Sequence, residues 1–291
     1  MFASSEETSI YYLARLPRYK TEKPFYVNFP MHDTPGVLHH NVLHEAYQNI
    51  VVNDIRGHED DFCLDTQGFQ LVTNGTSMTN DDFEDDREVR SRYYPEIIKL
   101  LTQELGATKV VPFEHTVIAS KHRLAKPQTQ GCGCDRKRKP LTAAHIEDQT
   151  PGSGARRVEA YLGDEAQDLF KGRFQVVNKH GIWRPLFGPL KDFPLMVGDY
   201  RTFDLVRDGE ATDLVFPHFV GESLNLYRHP DHKWYFAREQ QRNEVWVFKC
   251  FDSKLGVAMA APHCSFDIQK GSFVERPRES IEVRCLVFYE E

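Results

Sequence analysis

The stretch LTAAHIEDQTPGSG, residues 141–154, brings His145, Glu147 and Asp148 together at the edge of a Gly/Pro turn. Two imidazoles and one carboxylate bind a divalent transition metal on one face and leave the other positions open to reactants. In an extended strand residues i and i+2 share a face, so His145 and Glu147 can point the same way. If the chain bends into Gln149-Thr150-Pro151-Gly152, Asp148 takes that place instead. The second imidazole on offer is His263 in APHCSF. Among thirteen histidines an H-x-E match arises by chance, and each histidine taken singly reads equally as a hydrogen-bonded or surface residue.

The C-terminal ERPRESIEVRCLVFY adds a second chemical signal. Alternation puts Ile281, Val283, Cys285 and Val287 on one face and Arg278, Ser280, Glu282, Arg284, Leu286 and Phe288 on the other. Two arginines and a serine on one buried face call for an anionic partner. A dicarboxylate suits them, because guanidinium forks grip carboxylates in a bidentate way and a hydroxyl adds one more bond. The rival reading is an edge strand with a wet polar face.

The remaining chain must supply the frame. Its 291 residues are 40% hydrophobic and 27% charged, enough for a sizeable core, and the net charge of −7 gives no footprint for nucleic acid or an anionic membrane. No apolar run approaches the roughly 20 residues of a membrane helix, and the N-terminus has no hydrophobic signal core. Six scattered cysteines read as reduced cytosolic thiols, so a cytoplasmic protein is expected. Its partners would be a small-molecule substrate and, at most, a second copy of the chain.

Residues 87–105 predict a helix with Ile97, Ile98, Leu101 and Leu105 on one stripe and Gly106 as its stop. TKVVPFEHTVIA predicts a strand, and ARRVEAYLGDEAQDLF a second helix. Hairpins are expected in FCLDTQGFQLV and in KWYFA-REQQRN-EVWVFKCF. From residue 172 onward short aromatic and β-branched runs follow closely, which predicts a mainly β sandwich or barrel with helical cover. The loop KHRLAKPQTQGCGCDRKRKP carries a CGC and an RKRK, each without the partners that a zinc site or a polyanion patch would need.

Several long stretches carry a family resemblance. FQVVNKHGIWRPLFGPLKDFPLMVGDYRTFD, HKWYFAREQQRNEVWVFKCFDS, APHCSFD and RPRESIEVRCLVFY follow one another as do the signature segments of the AsaB-type hydroxylase/desaturase family. That family also takes in CmcJ-like, gibberellin desaturase-like and fungal meroterpenoid oxygenases. The resemblance runs from about residue 88 to the end of the chain. It implies a double-stranded β-helix (jelly-roll) fold, an Fe(II) centre, and 2-oxoglutarate and O₂ as co-substrates. Carried over by position, His145 and His263 would be metal ligands, and Arg278 the 2-oxoglutarate binder with Ser280 or Arg284 assisting. The family reads H-x-D-Q-[ST] where this chain has His145-Ile146-Glu147-Asp148-Gln149-Thr150. Spacing favours Glu147, which needs no insertion, while the downstream D-Q-T match favours Asp148.

Asn225-Leu226-Tyr227 resembles the N-x-Y element of plant-type 2-oxoglutarate oxygenases, which makes Tyr227 a co-substrate contact or barrel packing. Trp183 and Arg184 match the signature but read equally as structural, and Lys249 with Asp252 reads as an ion pair. His115, His232 and the His39-His40 pair have no assignment. The expected organisation is one domain, with 1–86 as an N-terminal, substrate-side extension and 87–291 as a helix-supported jelly-roll core. The aromatic N-terminal segment and the 120–140 loop are candidate covers of the site. The expected reaction is oxidation of a C–H bond in a small secondary metabolite. A silent binding subunit and a zinc-type hydrolase are the alternatives.

Overall fold

The computed structural model describes residues 2, 4–29, 38–119, 137–138, 140–147 and 151–290. Residues 120–136 and 139, which include the CGC and two residues of the RKRK run, and Asp148 lie outside the described residues. In chain order the strands are β1 (Ser5–Leu13), β2 (Phe25–Val27), β3 (His44–Asp54), β4 (Phe69–Thr73), β5 (Lys109–Ala119), β6 (Lys137–Arg138), β7 (His145–Glu147) and β8 (Phe174–Pro185). They continue as β9 (Leu195–Gly198), β10 (Gly209–Val215), β11 (Val220–Leu226), β12 (Trp234–Phe236), β13 (Glu244–Phe248), β14 (Phe251–Asp252), β15 (His263–Ser265) and β16 (Glu279–Phe288).

Two sheets result. One has nine strands in the order β1-β3-β12-β9-β15-β7-β11-β10-β2, and the other runs β4-β13-β8-β16-β5-β6, with β14 attached to β8. Period-two alternation sorts the side chains into layers. On β13, Trp246 and Phe248 face the space between the sheets, where they meet Phe69, Trp183, Val197 and Tyr235. Val245 and Val247 face the opposite way, onto Val89, Tyr93, Ile97 and Leu101. On β12, Tyr235 points between the sheets, while Trp234 and Phe236 join Ile10, Tyr12, Val52, Ile146 and Cys264 on the outer face. This is the two-sheet core that the aromatic runs predict, arranged as the jelly-roll that the family resemblance implies.

The helix Tyr94–Leu105 ends at Gly106, which is left-handed at φ 64°, a conformation glycine adopts without a Cβ clash. Its buried stripe is Tyr94, Ile97, Leu100 and Leu101. Ile98, expected on that stripe, is exposed. The second helix spans Pro151–Leu162, with short helical turns after it.

The two expected hairpins are not hairpins. In FCLDTQGFQLV only Phe69–Thr73 is a strand, because the Gln67 carboxamide takes over the local hydrogen bonding, accepting from Cys63 N (3.0 Å) and donating to Asp61 O (2.9 Å). KWYFA and EVWVFKCF part company: β12 pairs with β3 and β9, and β13 with β4 and β8. Trp234, Tyr235 and Phe236 are all buried. A strand apolar on both faces belongs inside a sheet, not in a half-solvated ribbon.

The N-terminal segment is woven into the large sheet. β1 pairs with β3, and Tyr11 also bridges to Ala143, with Tyr11 N donating to Thr142 O (3.1 Å) and Ala144 N to Tyr11 O (2.9 Å). The edge of the large sheet thereby closes onto the residues that lead into β7. Lys249 and Asp252 pair as expected at 2.7 Å, both buried, and Asp252 also accepts from Arg173 and Gln175. Cys250, Cys264 and Cys285 are buried. No helix among the described residues is long and apolar enough to cross a membrane.

Candidate metal centre and anion cradle

β7 lies between β15 and β11, and its register decides which side chains meet. His145 stands opposite His263 on one side and opposite Asn225 on the other. Directly opposed residues in an antiparallel pair share a face, so both imidazoles enter the space between the sheets. Ile146 and Cys264, one residue on, point into the outer cluster. The ring centroids are 4.6 Å apart, and Phe248 packs 4.9 Å from the His263 ring.

The two rings are oriented by the same device. His145 Nδ1 donates to Ala143 O (2.8 Å), and His263 Nδ1 donates to Ala261 O (3.0 Å). A carbonyl only accepts, so Nδ1 carries the hydrogen and the lone pair sits on Nε2. That tautomer, locked by a backbone carbonyl, is the one a metal-binding imidazole uses. Two buried imidazoles with matched tautomers fit a transition metal.

Glu147 shares the face of His145 and is buried. Its Oε2 lies 3.6 Å from Arg284 Nη2, and Arg284 also bonds Glu114, its neighbour across β5. Among the described residues no three His, Cys, Asp or Glu side chains stand close enough to hold a metal. The two histidines are therefore brought together, and Glu147 is turned to Arg284.

The other end of the chamber holds Arg278. It is 1% exposed, and its Nη1 donates to Phe193 O (2.6 Å) and Ser265 Oγ (2.7 Å), while its guanidinium lies 5.4 Å from the Trp183 ring centroid. Burial pushes its pKa down to about 10, against the pull of the Asp192 and Glu282 carboxylates, so it stays cationic at neutral pH. Ser265 follows His263 by two residues on β15, which ties the arginine to the imidazole through one short strand. Arg278 Nε, Ser280 Oγ and Trp183 Nε1 are buried and have no hydrogen-bond partner among the described residues. Leaving such donors unmet costs about 1–3 kcal/mol each, and a carboxylate would satisfy them together.

Arg284 does not belong to this cradle. Six residues of strand separate it from Arg278, roughly 20 Å at ~3.3 Å per residue, too far for both to grip one small dicarboxylate. Tyr227 is also spent elsewhere: its hydroxyl donates to Glu210 Oε2 (2.8 Å), and Arg15 covers its ring at 4.2 Å. Of the unassigned histidines, His232 bonds the buried Asp208 at 3.0 Å and stacks on Phe203 at 3.9 Å, a structural role.

Sequence reasoning missed Ser265, although its spacing from His263 was visible. It also missed His44, whose Nε2 reaches Asn225 Oδ1 at 3.3 Å, across β11 from His145. Burial pushes the His44 imidazole down to about 4, so it is neutral. Nothing near His44 in the sequence marks it, because the neighbours come from distant strands.

Residues 10–288 match a family model described as an oxidoreductase/YMDC permease-like domain. The hydroxylase/desaturase efuI of Hormonema carpetanum is 35% identical over 261 residues, covering 84% of each chain. The Fe(II)/2-oxoglutarate-dependent dioxygenase nvfI of Aspergillus novofumigatus is 29% identical over 250 residues, covering 81% of each. A solved structure of the iron and alpha-ketoglutarate-dependent endoperoxidase NvfI aligns with 99% of this chain and 100% of that one, with TM-score 0.82 and 25% identity.

Proposed function

Since the chain belongs to this oxidoreductase family of fungal hydroxylase/desaturases and Fe(II)/2-oxoglutarate-dependent dioxygenases, we propose that it oxidises a C–H bond of a small secondary metabolite. The reading includes a cytoplasmic setting. The observation that carries it is the facing pair His145 and His263, identically locked, one short strand from a buried arginine with a donor to spare.

In this reading His145 and His263 hold Fe(II) through Nε2, with a carboxylate from Glu147 or Asp148. Bound iron, with 2-oxoglutarate and O₂, supplies the oxidising chemistry. The protein's own residues do the rest. Arg278, with Ser280 and Trp183, receives the distal carboxylate of 2-oxoglutarate. Ser265 and the Phe193 carbonyl hold the guanidinium in place. Phe248, Val197 and Trp246 keep the chamber dry, which strengthens each of these polar contacts.

The test is metal content and 2-oxoglutarate affinity of purified variants. His145→Ala and His263→Ala are expected to abolish iron binding. Because Arg284 engages Glu147, Glu147→Gln is expected to retain iron and Asp148→Asn to lose it. The reverse outcome returns the ligand to Glu147. Full iron occupancy in His263→Ala would overturn the site assignment.

A further inference from the structure

A cavity of about 550 Å³ opens at the end of the seven-stranded sheet where β4 and β8 finish and β13 and β16 begin. Its lining holds two guanidinium groups, Arg242 and Arg276, and the polar side chains of Thr76, Asn80, Gln241 and Asn243, but no carboxylate. In a protein of net charge −7, that is a local reversal of sign, and a concave wall concentrates the field.

The wall is closely built. A Cβ on Gly188 would lie 2.8 Å from Gln241 Cα and 2.9 Å from Arg242 N, so only glycine lets these two turns meet. The Arg276 guanidinium lies 3.7 Å from the Phe187 ring centroid. With the Asn80 carboxamide oriented to donate to Leu186 O (2.7 Å), its oxygen accepts from Arg276 Nη2 (2.9 Å). Glu279, the acid paired with Arg276, stands off at 3.8 Å.

Behind the wall, donors outnumber acceptors. Arg242 spends Nη2 on Met78 O, and its buried Nε has no partner among the described residues. Arg184 is wholly buried, with Nη2 on Asn74 O (2.7 Å), its guanidinium 5.3 Å from the Tyr93 ring centroid, and Nε and Nη1 without a hydrogen-bond partner among the described residues. No carboxylate among the described residues forms an ion pair with it. Asn74 Nδ2 is likewise buried without a partner. Buried donors left unmet beside two guanidinium groups call for an acceptor with negative charge.

We propose that this cavity, whose lining includes none of His145, His263 and Arg278, binds a small organic oxyanion. The ligand would present a carboxylate or phosphate to Arg242 and Arg276 and lay a flat apolar body against Leu186 and Phe187. The test titrates benzoate and phenyl phosphate into the Fe(II)-loaded full chain saturated with 2-oxoglutarate under argon, followed by calorimetry. Saturable binding in the millimolar range or tighter is expected, weakened at least tenfold by Arg242→Gln and by Arg276→Gln. Tighter binding of phenyl phosphate would make the ligand a phosphate ester, and tighter binding of benzoate a carboxylate. Arg276 is exposed, so its variant reports even if Arg242→Gln fails to fold. The proposal falls if no saturable binding is seen up to about ten millimolar, if binding ignores both substitutions, or if it appears only without 2-oxoglutarate.

Discussion

Replacing Ser265 with alanine removes one of the two bonds that hold Arg278 Nη1, leaving the Phe193 carbonyl as the other. A hydrogen bond to a charged group contributes about 1.5–3 kcal/mol. If all of it served to fix the guanidinium, its loss would weaken co-substrate binding by roughly ten- to a hundredfold. Because the Phe193 carbonyl remains, the lower end applies, and Ser265→Ala is expected to raise the 2-oxoglutarate Kd about tenfold. Iron affinity should stay within about twofold, because Ser265 touches the arginine and not the imidazoles. Anaerobic calorimetry of 2-oxoglutarate into Fe(II)-loaded protein measures the first quantity, and metal titration the second. Ser265→Thr keeps the hydroxyl and should restore affinity. An unchanged Kd in Ser265→Ala, or equal loss of iron and 2-oxoglutarate, would refute the claim that Ser265 positions Arg278.

Other perturbations follow from the same contacts. Tyr227→Phe removes a hydroxyl committed to Glu210, so it should lower stability by about 0.5–1.5 kcal/mol and leave 2-oxoglutarate affinity unchanged; a weaker Kd would reinstate Tyr227 as a contact. Lys249→Met removes one of the two cations on the buried Asp252 and leaves Arg173, so it should destabilise by about 1.5–3 kcal/mol, read in urea unfolding. Burial lowers the His232 imidazole to about 4 despite the raising pull of Asp208. The unfolded chain therefore takes up a proton that the folded one refuses between pH 6.5 and about 4. Stability should fall as pH drops through that window, by up to ~1.4 kcal/mol per pH unit, and His232→Asn should flatten that limb. Burial alone would raise Asp208, but its bonds from Arg207 and His232 hold it below the usual carboxylate range, which extends the loss to lower pH.

Much of the frame was legible because alternation is local. The two faces of β16 separate as read, with Ile281, Val283, Cys285 and Val287 packed under the helix Tyr94–Leu105. The facing of His145 and His263 was readable only through the family resemblance, since nothing local links residues so far apart. Strand pairing is where sequence reasoning failed. KWYFA and EVWVFKCF are close enough to form a hairpin, yet their two-sided apolar character sends them to separate sheets. The roles of Arg278 and Arg284 could not be told apart from composition. What separates them is what each guanidinium meets across the fold: Glu114 and Glu147 claim Arg284, whereas Arg278 donates to Phe193 O and Ser265 Oγ. The place of the N-terminal strand in the large sheet was not legible for a similar reason: its partner Ala143 lies more than a hundred residues away.

The position of β16 has a consequence for how the protein comes into being. It lies between β5 and β8, and both of those are synthesised long before it. Until residues 279–288 leave the ribosome, β5 and β8 have no shared neighbour, and each presents an unpaired edge to other nascent chains. His145 and His263 are both synthesised earlier, but Arg278, proposed to receive 2-oxoglutarate, comes immediately before this strand. Productive folding must therefore wait for a long-range closure. A chain stopped before residue 279 would be expected to aggregate, not to persist as a smaller, weaker enzyme.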